Sequence, residues 1–134
     1  MVNEDLINEI DSVHKSANDA LRLKQFDRYM ECFSDDLQYK QLNGKTIGKK
    51  QLVNDTRHYF GRIQNYSGSY KREDYSIEKN SITERLIQYT KVSIRVFIFF
   101  SKNWTVEREG IYQWVKVNDS WKISRVDILK EKLS

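Results

Sequence analysis

Residues 82–117 read ITERLIQYTKVSIRVFIFFSKNWTVEREGIYQWVKV, and this run decides the fold. Apolar residues recur at every second position, through Val92, Ile94 and Val96 and again at Tyr112 and Trp114. That period of two is the mark of a strand with one buried face. The run divides into two segments, Ile82–Phe100 and Trp104–Val117, joined by the hairpin-length Ser101-Lys102-Asn103. The same rhythm extends outward on both sides. Tyr66–Glu78 precedes it across Lys79-Asn80-Ser81, and Ser120–Leu129 follows across the two-residue Asn118-Asp119. The spacing predicts a four-stranded antiparallel meander. Strands of ten or more residues must twist and coil, and the absence of proline leaves their ladders uninterrupted.

The N-terminal part has a different period. Leu6, Ile10, Val13, Ala17, Ala20 and Leu21 follow the i, i+3, i+4 rule of an amphipathic helix. Asn3 opens it, Glu4 and Asp5 occupy the first turn, and it runs to about Leu23. Phe26, Tyr29, Met30 and Phe33 form one face of a second short helix ending near Ser34-Asp35-Asp36. A brief strand, Leu37–Gln41, and an Asn43-Gly44 turn lead to a third helix starting near Gly48, with Leu52, Thr56, Tyr59, Phe60 and Ile63 on its apolar side. Helices first and strands afterwards make an α+β domain. Its curved antiparallel sheet would wrap over three N-terminal helices as a cone-shaped barrel enclosing a cavity. At 134 residues, with no linker or repeat, the chain is expected to be a single domain over residues 1–134.

Charge and composition narrow the partners. The net charge of +4 arises from 23 basic and 19 acidic residues that are interleaved. No basic arm for nucleic acid stands out, so no nucleic-acid partner is expected. Cys32 is the only cysteine and excludes an intrachain disulfide. The N-terminal residues lack a signal-peptide pattern and no run approaches a membrane span, which leads us to expect a cytoplasmic protein without a membrane partner. HExxH, CxxC, GxSxG and Gly-rich phosphate-loop patterns are absent, and the two histidines stand 44 residues apart. No metal and no cofactor are implied.

Several local phrases add a resemblance. Phe26-Asp27-Arg28-Tyr29-Met30-Glu31-Cys32-Phe33 is followed by Asp35-Asp36-Leu37, then Asn43-Gly44 and Gly48, and finally Asn118-Asp119-Ser120-Trp121-Lys122-Ile123. In these phrases and in element order the chain resembles the nuclear transport factor 2-like superfamily, which includes ketosteroid isomerase and the SnoaL-like polyketide cyclases. The resemblance implies a cone-shaped α+β barrel, commonly dimeric, with a pocket between helices and sheet. It also implies a general-base carboxylate at the end of the first strand. Here that stretch reads Tyr39-Lys40-Gln41-Leu42, without a carboxylate.

Hairpin arithmetic places side chains, because partners across a tight loop sum to a constant. A reversal at residues 101–103 pairs Arg95 with Glu109 and Val92 with Tyr112. A reversal at Asn118-Asp119 pairs Trp114 with Ile123, Tyr112 with Arg125 and Gly110 with Asp127. Val92, Ile94, Val96, Tyr112, Trp114, Ile123 and Leu129 then share the concave face with Arg108, Arg125 and Asp127. Charges on an apolar concave surface are costly unless paired or wet. They are either the polar floor of a pocket or an ion pair at its rim. Two arginines would keep Asp127 ionised, which suits anion binding better than proton abstraction.

The candidate ligand-binding residues are therefore Tyr39, Arg108, Tyr112, Trp114, Arg125 and Asp127, and the candidate catalytic groups are His14 and Asp127. His14 shares a helical stripe with Ile7, Ile10, Ala17 and Leu21. It is either a satisfied core residue or a hydrogen-bonding group facing the pocket, as a donor on the first helix is in ketosteroid isomerase. Val96–Phe100 is apolar on both faces, which predicts a homodimer through the outer sheet face at Phe97 and Phe99. Burial of each phenylalanine would contribute about 1.5–3 kcal/mol. The expected function is binding of an apolar or aromatic small molecule carrying an anionic group, with a lyase or isomerase activity if any. The alternative is a noncatalytic dimeric interaction module.

Overall fold

The computed structural model describes residues 2–97 and 100–134. Three helices, α1 (Val2–Arg22), α2 (Phe26–Met30) and α3 (Lys49–Phe60), pack on the concave side of one sheet. Its strands are β1 (Phe33–Lys40), β2 (Thr46–Ile47), β3 (Ile63–Glu78), β4 (Ser81–Phe97), β5 (Phe100–Val117) and β6 (Ser120–Leu133). The spatial order is β2-β1-β6-β5-β4-β3. The C-terminal four strands are the expected antiparallel meander, and β1 joins its edge by pairing parallel to β6.

Some boundaries differ from the sequence reading. The second helix stops at Met30, because the chain is already needed as strand: Ile123 N–H donates to the Cys32 carbonyl at 2.7 Å, and Phe33 aligns with Ile123. The first strand therefore begins at Phe33, four residues before Leu37. The β5–β6 hairpin is as expected, with Asn118 and Asp119 at positive φ (49° and 64°), the backbone of a two-residue turn.

Two registers differ, with opposite consequences. The β4–β5 hairpin reverses between Phe97 and Phe100 instead of at residues 101–103, so Val92 faces Trp104 and Arg95 faces Ser101. The slip relative to expectation is eight residues, an even number. Side chains up to Arg95 on β4 and from Ser101 on β5 keep their predicted faces, because faces alternate with period two, whereas a one-residue irregularity between Arg95 and Phe97 leaves Val96, expected on the concave face, exposed. On β6, Trp114 pairs with Ile123 as expected, but Gln113 then pairs with Arg125, leaving Ser124 as a bulge. From Arg125 to Ile128 the slip is one residue, and a second bulge at Leu129 makes it two, so that Arg108 faces Glu131. Tyr112 faces Val126 and Gly110 faces Ile128, so Val126 and Ile128 enter the core in place of Arg125, Asp127 and Leu129.

The core runs from Ile10 on α1 to Ile82, Leu86 and Trp114 on the sheet. No described helix is long and apolar enough to cross a membrane. Phe99 and the Phe97 side chain lie outside the described residues; Val96 and Phe100 beside them are 45% and 68% exposed.

Candidate active site

Helix α1 turns the stripe of Ile10, His14, Ala17 and Leu21 onto the sheet, and the His14 ring is buried there. Its Nε2 lies 2.6 Å from Glu84 Oε2 on β4. Glu84 is 1% exposed and shares its strand face with Ile82, Leu86 and Val92. A carboxylate in such surroundings survives only with its oxygens engaged. Trp114 Nε1 donates to the same Oε2 at 2.7 Å, and Arg72 on β3 donates to Oε1 at 2.9 Å. Arg72 also bonds Asp11 at 2.7 Å, and the Tyr70 hydroxyl donates to that same aspartate oxygen. The Tyr70 ring lies against His14 with centroids 4.4 Å apart, and Trp114 meets the imidazole edge-on at 5.1 Å.

This network sets the charges. Burial pushes the Glu84 carboxyl up, but the bonds from His14 and Trp114 and the charge of Arg72 outweigh it, so the group titrates below its usual range. Asp11 is lowered in the same way, burial being outweighed by Arg72 and Tyr70. An ionised Glu84 accepts, so the proton of the neutral imidazole belongs on Nε2. Nδ1 then carries the lone pair. It has no hydrogen-bond partner among the described residues, where no partnerless polar side-chain atom is fully buried, and His14 lines a cavity.

That cavity has a volume of about 470 Å³ and lies between the three helices and the concave sheet. Six of the eight tyrosines line it: Tyr29, Tyr39, Tyr59, Tyr66, Tyr70 and Tyr112. Burial raises all six phenols above their ordinary pKa, so they stay protonated near neutrality. Arg108 on β5 lines the same cavity and donates through Nε to Glu131 Oε2 at 2.8 Å. Burial opposes its charge, but the neighbouring oxygens of Tyr39, Tyr112 and Glu131 hold the guanidinium protonated. Its two terminal nitrogens make no hydrogen bond among the described residues and are not fully buried.

Of the residues singled out from sequence, His14, Tyr39, Arg108, Tyr112 and Trp114 line the cavity together. Arg125 and Asp127 do not. The Ser124 bulge turns both away, leaving Arg125 exposed, and the second bulge at Leu129 brings Glu131 onto the cavity side opposite Arg108, so the expected floor of Arg108, Arg125 and Asp127 is replaced by Arg108 with Glu131. Gly110 does not make room beside Asp127 either; the Tyr112 ring leans over it. Glu84, Arg72, Asp11 and Glu131 escaped the sequence reading. Glu84 had a signal, since it shares parity with Ile82, Leu86 and Val92 inside an apolar face. Among the described residues no three His, Cys, Asp or Glu side chains gather as a metal site needs.

The chain resembles solved structures over nearly its whole length. A conserved protein from Planctomyces limnophilus DSM 3776 matches with a TM-score of 0.83 at 15% identity, covering 100% of both chains. A putative scytalone dehydratase from Novosphingobium aromaticivorans DSM 12444 matches at 0.79 and 12% identity, covering 98% of this chain and 91% of that one. The fold is nuclear transport factor 2-like. A hexachlorocyclohexane dehydrochlorinase (LinA) type 2 shares this nuclear transport factor 2-like fold at TM-score 0.72 and 9% identity, covering 98% and 90% of the two chains. At these identities the likeness extends to the fold alone. No protein-family model matches the chain, and no curated protein matches it by sequence.

Proposed function

We propose that the protein binds a small apolar or aromatic molecule with an anionic group at Arg108, and that His14 with Glu84 moves a proton on that molecule. The observation that carries this reading is the Glu84 carboxylate. It is buried and ionised, and its hydrogen bond orients the imidazole of His14, a residue that lines the tyrosine-walled cavity. His14 Nδ1 would take a proton from a carbon beside an electron-withdrawing group, and the imidazolium so formed is stabilised by Glu84. The electron pair left on carbon would expel a group from the adjacent carbon, or return to the proton at a different carbon. These are the lyase and isomerase outcomes. Tyrosine hydroxyls held protonated would donate to the oxygen on which charge develops. Nuclear transport factor 2-like structures described as a putative dehydratase and a dehydrochlorinase are consistent with such chemistry on this fold.

The test is a thermal-shift screen of aromatic acids followed by hydrogen–deuterium exchange of those that bind. Wild type and His14→Gln should both be stabilised by a binding acid, Arg108→Met should not, and only proteins retaining His14 should exchange its C–H. Binding that ignores Arg108 would count against the reading. For the outer sheet face we propose a second copy of the chain, supported by the exposed Val96 and Phe100 beside Phe97 and Phe99.

A further inference from the structure

The two polar stations of the cavity lie at different depths on the same pair of strands. Glu84 pairs with Tyr112, and Gln88 pairs with Arg108. The arginine level is therefore four positions from the Glu84 level, about 13 Å along the sheet. The Glu84 level is the closed end, where Ile82, Glu84 and Trp114 are all buried.

What lies between the stations is an aromatic surface. A Cβ on Gly110 would come within 3.2 Å of Tyr112 Cε1, so the Tyr112 ring lies along its own strand over the glycine. The Tyr112 hydroxyl reaches Gln88 Oε1 at 2.7 Å, at the Arg108 level. The ring thus runs from the depth of His14 toward the depth of Arg108 and forms part of the cavity wall between them. With its hydroxyl proton given to Gln88, Tyr112 presents ring and not donor to the space between.

We infer that the cavity is a ruler for planar two-ring aromatic carboxylates, with the carboxylate on the terminal nitrogens of Arg108 and the far ring against His14. With side chains taken to stand squarely off their strands, subtracting a contact of about 3 Å at each end from the roughly 13 Å between backbone levels leaves about 7 Å, near the length of two fused rings. A single-ring acid held by Arg108 would fall short of His14. The acceptor is a carboxylate by geometry: Nε is already used by Glu131, and the two remaining nitrogens present the paired donors that a planar two-oxygen anion accepts.

This inference rests on the ligand-binding reading above, and 2-naphthoate, 2-naphthamide and benzoate separate the two. By calorimetry, 2-naphthoate should bind at least tenfold more tightly than either benzoate or the uncharged amide. Arg108→Met should abolish the preference for acid over amide while leaving amide affinity within twofold. In NMR spectra of the wild type, 2-naphthoate should move the His14 ring resonances and benzoate should not. Equal affinity for acid and amide in the wild type, or benzoate binding that matches 2-naphthoate and shifts His14, would overturn the ruler while leaving a ligand cavity. Failure of all three compounds to bind would overturn both readings. The acid-to-amide and one-to-two-ring comparisons are made on wild type, so they hold if the Arg108 variant misfolds.

Discussion

Trp114 Nε1 donates to Glu84 Oε2 at 2.7 Å, on the same oxygen that His14 Nε2 approaches at 2.6 Å. One carboxylate oxygen thus fixes an indole from β5 and an imidazole from α1. Glu84→Ala leaves Arg72, Trp114 and His14 without their shared acceptor and should cost about 3–5 kcal/mol in urea unfolding. Glu84→Gln keeps the shape and one acceptor oxygen and should cost less, while reducing any proton-transfer rate at least a hundredfold. An alanine variant within 1 kcal/mol of wild type would show that the network contributes little.

Acid should unfold the protein through these same groups. Glu84 and Asp11 have folded pKa values below their ordinary carboxylate values of about 4. Their contribution is complete above those ordinary values and is lost as pH falls through the lower folded values, since protonation favours the unfolded chain. Stability measured by urea from pH 7 to pH 3 should be flat down to about pH 5 and then decline. The decline should be shallower in Glu84→Gln. A profile identical in wild type and variant would remove Glu84 from the account.

Gly110→Ala tests the placement of the Tyr112 ring. The added Cβ would meet the Asp127 carbonyl oxygen and Tyr112 Cε1 at 3.2 Å and Ile128 Cδ1 at 3.3 Å. Backbone on one side and a packed ring on the other leave little room to yield. A cost of about 1–3 kcal/mol is expected, together with weaker binding of any ligand that stacks on Tyr112. Unchanged thermal stability would mean that the ring does not cover the glycine.

Arg125→Ala and Asp127→Ala should each alter stability by less than about 0.5 kcal/mol and leave ligand affinity unchanged, as surface substitutions do. Arg108→Met in the same titration should lose affinity at least tenfold. Equal losses at Arg125 and Arg108 would argue that β6 lacks the one-residue bulge.

A second copy on the outer face predicts a solution mass of about twice 16.1 kDa by light scattering at micromolar concentration. A Phe97→Asp change should halve it. A monomeric wild type would exclude this arrangement.

Much of the architecture was legible in the chain because it follows from periods. The stripe of Ile10, His14, Ala17 and Leu21 depends only on 3.6 residues per turn, and it sent His14 inward correctly. The long alternating strands depend only on period two. They even survived a hairpin placed several residues too late, since an even slip leaves Arg108, Tyr112 and Trp114 on the concave face. The tertiary structure alone decided what an odd slip does. A single unpaired Ser124 exchanges Arg125 and Asp127 for Val126 and Ile128; the change of apolar parity from Trp121 and Ile123 to Val126 and Ile128 is its trace in the sequence, and only the strand pairing shows which residue is left unpaired. The meeting of His14 with Glu84 was likewise beyond the sequence. It joins a helix to a strand 70 residues away, and its stability comes from four donors and acceptors that find one another only when the sheet closes over α1.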